Sequence, residues 1–165
     1  MLKHFILILC IAFVAKVSAQ QNVKMVSFDD VQKLMNRNTD TTYVINFWAT
    51  WCNPCVHELP NFVKLDSIVK GTKVKVYLVS LDFPKQIDTK LKPFVEKNRI
   101  QSPVWLLNAP DYNAWIDKVD SSWDGTIPAT LVLNNKLKMR KFTEKELSME
   151  ALNNMVSPFV NKTSN

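Results

Sequence analysis

The chain has 165 residues, 47% of them apolar and 22% charged, with a formal net charge of +6. That length suits one domain with a hydrophobic core, and the composition argues against a disordered chain. Two glycines exclude a flexible low-complexity sequence, and the modest basic excess comes without a recognisable nucleic-acid-binding motif, so no nucleic-acid partner is expected.

The first 19 residues differ from the rest. MLKH is a short basic start, residues 5–15 (FILILCIAFVA) are an unbroken apolar run, and Val17-Ser18-Ala19 supplies small residues before a cleavage point. This is the order of an export signal, and the run is short against the roughly 20 residues a membrane span needs. The expectation is a signal peptide over 1–19 and one domain over 20–165, the alternative being an uncleaved N-terminal anchor. Cys10 lies inside the run between Leu9 and Ile11, unlike a lipid-attachment cysteine, and leaves with the signal. The remaining chain has 19 basic against 15 acidic residues, two cysteines (Cys52 and Cys55) and one histidine (His57).

Residues 29–37 carry Val31, Leu34 and Met35 at helical spacing, with Ser27 or Asp29 as N-cap. TYVINFWA (42–49) is rich in β-branched and aromatic residues and reads as a buried strand. A helix follows over about 53–70, with Pro54 in its first turn, Pro60 as a kink and Gly71 as its stop. KVKVYLVSLD predicts a strand apolar enough for a parallel position covered on both faces. Residues 84–99 predict a helix interrupted or restarted at Pro93, PVWLL a short strand and DYNAWIDKV a short helix. Residues 129–142 read as a hairpin turning at Asn134-Asn135, since asparagine tolerates positive φ. Its second arm, KLKMRK, reads as a basic edge strand. Ser148 caps a last amphipathic helix, and NKTSN reads as a polar tail whose Asn161-Lys162-Thr163 sequon has meaning only in a eukaryotic secretory pathway. Alternating strands and helices closed by a hairpin and helix give an α/β fold with a mixed sheet flanked by helices.

The chemistry is concentrated in FWATWCNPCVHELP, residues 47–60. A strand running into Cys52-Asn53-Pro54-Cys55 and then a helix puts Cys52 at a helix N-terminus, where unpaired N–H groups and the dipole favour a thiolate. Cys55 lies one turn in and is expected to be less exposed. That geometry divides labour: Cys52 attacks a substrate disulfide and Cys55 resolves the mixed disulfide. A structural staple closing so small a loop would restrict the unfolded chain little. Zinc would need about four ligands, and only His57 remains beside the two thiols. Haem attachment would need a histidine directly after Cys55, where Val56 stands. A Cu(I)-carrying module, using two soft thiolates, stands as the alternative from a different class.

WCNPC with Glu58 and Pro60, and Ile127-Pro128-Ala129-Thr130 far downstream, resembles thioredoxin-like proteins, in particular the exported TlpA/ResA-like thiol–disulfide oxidoreductases. The resemblance covers nearly all of the chain after the leader, and the segment from about 83 to 125 is long for a minimal thioredoxin. It implies a cis Ile127-Pro128 peptide beside the cysteines that offers the Ile127 backbone to a substrate peptide, the alternative being an ordinary trans turn. It implies protein disulfide substrates, apocytochrome c among them, an upstream thiol electron donor, a periplasmic or otherwise extracytoplasmic monomer, and no cofactor.

One departure is informative. Thioredoxin has a buried aspartate in the strand before the motif, where this chain has Asn46, which takes no proton. Glu58, three residues after Cys55 and about 60° around the helix, is the replacement candidate as proton acceptor; the alternative is an exposed helix carboxylate. His57, about 140° from Cys52, is expected to face solvent. Trp51 is expected to cover the redox site and meet partners, Phe47 and Trp48 to straddle the core strand, Trp105 and Trp115 to be structural, and Trp123 to border the partner groove. Asn53-Pro54 puts neither histidine nor cation between the cysteines, which favours a reductase over an oxidase or isomerase.

Overall fold

A computed structural model describes residues 23–163. The expected signal peptide lies outside the described residues. One six-stranded mixed sheet runs in the order β1-β4-β3-β2-β5-β6. Its strands are β1 (Val23–Val26), β2 (Thr42–Trp48), β3 (Val74–Ser80), β4 (Val104–Leu107), β5 (Ala129–Asn134) and β6 (Met139–Thr143). The helices are α1 (Phe28–Met35), α2 (Asn53–Ile68), α3 (Lys92–Lys97), α4 (Ile116–Val119) and α5 (Met149–Thr163). The first four strands in the order pair in parallel, and β2–β5 and β5–β6 pair antiparallel.

Period-two alternation along β2 decides what each face meets. Tyr43, Ile45 and Phe47 join a core with α1, α4 and Trp115, while Val44 and Trp48 join a second core with α2, α3 and α5. Phe47 and Trp48 therefore straddle the strand as expected, both fully buried. Asn46 shares the parity of Val44 and Trp48, so its amide enters the core beneath α2 and α5. This places the site.

Local chemistry accounts for most element ends. Ser27 is the cap of α1: its hydroxyl accepts from the Asp30 N–H, and the Asp30 carboxylate accepts from the Ser27 N–H at 3.0 Å. Such a reciprocal cap is worth about 1 kcal/mol. Gly71 closes the α2 connection at φ +83°, a conformation a side chain would strain. Ser148 caps α5 by accepting from the Ala151 N–H.

Two expectations change. The hairpin does not turn at Asn134-Asn135: Asn134 pairs with Met139, so residues 135–138 form a four-residue loop whose positive φ falls on Lys138. Asn134 accepts the Leu137 N–H, and the Asn135 amide reaches across to the carbonyls of Met35 and Arg37. KLKMRK is thus half loop, with Arg140 and Lys141 exposed on the edge strand β6. Residues 84–99 restart a helix at Pro93 as expected: a 3-10 turn (Pro84–Gln86) and a π turn (Ile87–Leu91) precede α3, which has Pro93, lacking an N–H, in its first turn. The tail is shorter than expected, because α5 continues to Thr163.

β1 is an element beyond those expected. Four residues with Lys24 and Met25 exposed carry no readable period, and the strand exists because β4 gives it a partner. β4 comes from the long 83–125 segment and sits between β1 and β3.

Candidate active site

The loops after β2 and β3 meet at the C-terminal ends of these two central parallel strands. Asp82, buried at 2% exposure, accepts from the Thr50 N–H at 3.0 Å, from the Thr50 hydroxyl and from the Ser80 hydroxyl at 2.7 Å. These bonds fix the residue two before Cys52, and no motif in the sequence singles out Asp82. Cys52 then acts as N-cap of α2, its sulfur accepting from the Cys55 N–H at 3.3 Å. The two sulfurs are joined, with S–S 2.03 Å. Cys52 retains 6% exposure and Cys55 none, the asymmetry expected of an attacking and a resolving cysteine.

Ile127-Pro128 is cis, and the Ile127 carbonyl oxygen lies 3.7 Å from the Cys52 sulfur. Trp51 is 55% exposed beside the pair. It therefore stands at the mouth of the site and does not lie buried across it. Trp123 does not border a groove. It is buried, donates from Nε1 to the Thr126 carbonyl at 2.8 Å, and packs among Phe47, Trp115 and Phe142. Its work is to shape the turn before Ile127. Trp105 and Trp115 pack against Tyr77 and Phe28 respectively, as structural residues.

Glu58 is fully buried, which removes the exposed-carboxylate alternative. Its Oε1 accepts from Asn46 Nδ2 at 2.7 Å, and its Oε2 accepts from the Leu147 N–H at 2.7 Å. Asn46 Nδ2 also reaches Thr130 Oγ1 at 3.1 Å, while Asn46 Oδ1 is buried without a partner. Burial pushes the Glu58 carboxyl up to about 7, against the opposing pull of the Leu147 and Asn46 donors. Asn46 and Glu58, linked in the sequence as a missing base and its replacement candidate, are in direct contact. Strand parity predicts that meeting; the Leu147 donor, some ninety residues away in sequence, carries no sequence signal.

His57 points outward and pairs with the Glu146 carboxylate, which holds the imidazole above its usual range. Among the described residues no cluster of three or more His, Cys, Asp or Glu side chains is placed to hold a metal ion, and no helix is long and apolar enough to cross a membrane.

A paired dithiol on a strand-to-helix turn, faced by a cis-proline carbonyl and backed by a protonatable carboxyl, is chemically suited to thiol–disulfide exchange. A family model described as the AhpC/TSA family matches residues 12–142. The chain belongs to the AhpC/TSA family. Within its thioredoxin-like fold, the chain is similar to the sporulation thiol-disulfide oxidoreductase A of Bacillus subtilis, 25% identical over 130 residues, covering 79% of this chain and 73% of that protein. It is also similar to the thiol-disulfide oxidoreductase ResA of Geobacillus thermodenitrificans, 25% identical over 107 residues, covering 64% of this chain and 56% of the relative. A solved thioredoxin-related protein from Neisseria meningitidis superposes with a TM-score of 0.60 at 24% identity, over 73% of this chain and 85% of that one. These family members share the fold class read from the sequence.

Proposed function

We propose that this thioredoxin-like thiol–disulfide oxidoreductase works outside the cytoplasm, after removal of residues 1–19, as a reductase of disulfides in exported proteins. Cysteine pairs of apocytochromes c are a candidate substrate class. The observation that carries the reading is the arrangement around the dithiol: Cys52 at a helix N-terminus, with no charged residue between the cysteines, and buried Glu58 three residues behind Cys55.

In the reduced enzyme the Cys52 thiolate attacks one sulfur of the substrate disulfide. That bond breaks, the departing substrate sulfur takes up a proton, and a Cys52–substrate mixed disulfide forms. The Cys55 thiol then gives its proton to the Glu58 carboxylate, and its thiolate attacks the Cys52 sulfur. Reduced substrate leaves and the Cys52–Cys55 disulfide remains, two electrons having passed to the substrate. An upstream dithiol returns the enzyme to its reduced form. Ile127 and cis-Pro128 hold the substrate backbone in strand-like pairing across the mouth, with Trp51 as an apolar contact.

The direction is tested by the reduction potential together with the Cys52 pKa. With only the helix terminus stabilising the thiolate, the expected potential is reducing, near the thioredoxin value of about −270 mV. A value close to about −120 mV, with a strongly acidic Cys52, would assign the protein as an oxidase instead.

A further inference from the structure

Glu58 takes one of its two hydrogen bonds from a backbone N–H that belongs to the connection between β6 and α5. That connection is tied to α2 at three successive points. His57 pairs with Glu146. Glu58 accepts the Leu147 N–H at 2.7 Å. Asn61, one turn further along α2, donates from Nδ2 to the Leu147 carbonyl at 2.9 Å. Two α2 side chains thus grip both polar groups of one residue, as a neighbouring strand would, and an exposed ion pair closes the grip from the solvent side.

We propose that residues 146–147 form a strap across α2 in which Asn61 holds the Leu147 N–H on Glu58 and the His57–Glu146 pair sets the charge that Glu58 feels, all three as positioning residues. The consequence for turnover rests on the reading of Glu58 as the proton acceptor for Cys55; the strap itself does not.

The strap has a sign structure that a passive clamp lacks. Glu146 is a carboxylate near a carboxylate, and its charge favours the protonated form of Glu58. His57, when protonated, offsets that charge from outside. The Leu147 N–H acts in the opposite sense to Glu146, because it stabilises the Glu58 anion. The other groups around Glu58 leave this pair as the adjustable charge. β2 and β5 present the neutral Asn46 and Thr130, and Cys55 is tied in the disulfide. On the connection itself, Glu144 accepts from the Asp124 N–H, and Lys145 is exposed.

The test follows the Glu58 carboxyl carbon by NMR titration of the oxidised protein, in which the cysteines do not titrate, with Glu58→Gln identifying the signal. His57→Ala leaves the Glu146 charge uncompensated and should raise the Glu58 midpoint. Glu146→Gln removes that charge and should lower it. Each shift should be roughly half a pH unit, the scale of an exposed charge pair. Asn61→Ala loosens the Leu147 N–H and should raise the midpoint. Shifts of the same sign in His57→Ala and Glu146→Gln, or no shift in either, overturn the proposal. Both substitutions are at exposed side chains, so folding is not at stake. The pH profile of Cys55 reactivity is measured in parallel. If Glu58→Gln leaves that profile unchanged while the midpoints still move apart, the proton-acceptor reading fails and the strap stands.

Discussion

Replacing Cys55 with serine is expected to stop the reaction after its first half. Cys52 remains at the helix N-terminus and still attacks, but no sulfur is left to resolve the mixed disulfide. Incubation with a disulfide substrate should accumulate a covalent one-to-one adduct on non-reducing electrophoresis, released by added dithiol, while turnover falls to background. Cys52→Ser should give neither adduct nor turnover, because Cys55 is fully buried and cannot be reached in its place. The asymmetry between the two variants is the useful result. If Cys55→Ser turned over as well as wild type, or if Cys52→Ser formed the adduct instead, the assignment of attacking and resolving cysteine would be wrong. Stoichiometric Cu(I) binding by a wild-type protein unable to reduce any disulfide would move it to the metal-carrier class.

Glu58→Gln should produce the largest change in how stability depends on pH. The sign follows from the direction of the shift. The carboxyl titrates at about 7 in the folded protein against 4.5 for the unperturbed group, so the folded state holds the proton more tightly. Its contribution to stability is then fully present below about 4.5 and is lost as pH rises through about 7. Between pH 5 and 8 the wild-type oxidised protein should lose about 2 to 3 kcal/mol relative to Glu58→Gln. Urea unfolding of both proteins at the two pH values measures this, the variant cancelling the other titrating groups. Glutamine should fit, because its carbonyl can take the Leu147 N–H and, once the Asn46 amide turns over, its NH2 can donate to Asn46 Oδ1 in place of the bond from Asn46 Nδ2. The same variant should slow release of reduced substrate at neutral pH by roughly 100-fold, if proton transfer from Cys55 is its role. Parallel pH dependence in the two proteins would mean that Glu58 is already ionised in the fold.

Much of this was readable beforehand, and the unread parts have a common physical cause. The core strand, the helix carrying the cysteines and the capping serines announce themselves through short-range pattern, and each was found within a few residues of its place. Glu58 was reachable by helical spacing from Cys55, and its contact with Asn46 by strand parity. What escaped depends on partners distant in sequence. Four residues such as Val23–Val26 become a strand only when β4 lies beside them. Trp123 is a core residue because Phe47 and Trp115 enclose it, which no local window shows. Asn134-Asn135 looked like a turn on propensity alone, whereas both amides are spent on contacts with the α1–β2 region. Leu147 and Asn61 matter through backbone hydrogen bonds, which leave no trace in side-chain chemistry.

The seat of β4 between β1 and β3 also orders the assembly of the chain in time. Among the described residues β1 pairs only with β4, about eighty residues later in the sequence, and closing so long a loop carries an entropic penalty that nearer pairings avoid. The β2–β3 ladder joins strands separated by one helix, so it can form while the first strand still waits for a partner. The first described strand is then among the last parts of the sheet to lock. In pulse-labelling hydrogen exchange during refolding, the amides of Met25 and Val26 should gain protection after those of Val76 to Val79 in β3, whose partner strands on both sides are near in sequence. Simultaneous protection would mean that β1 docks with the rest of the sheet.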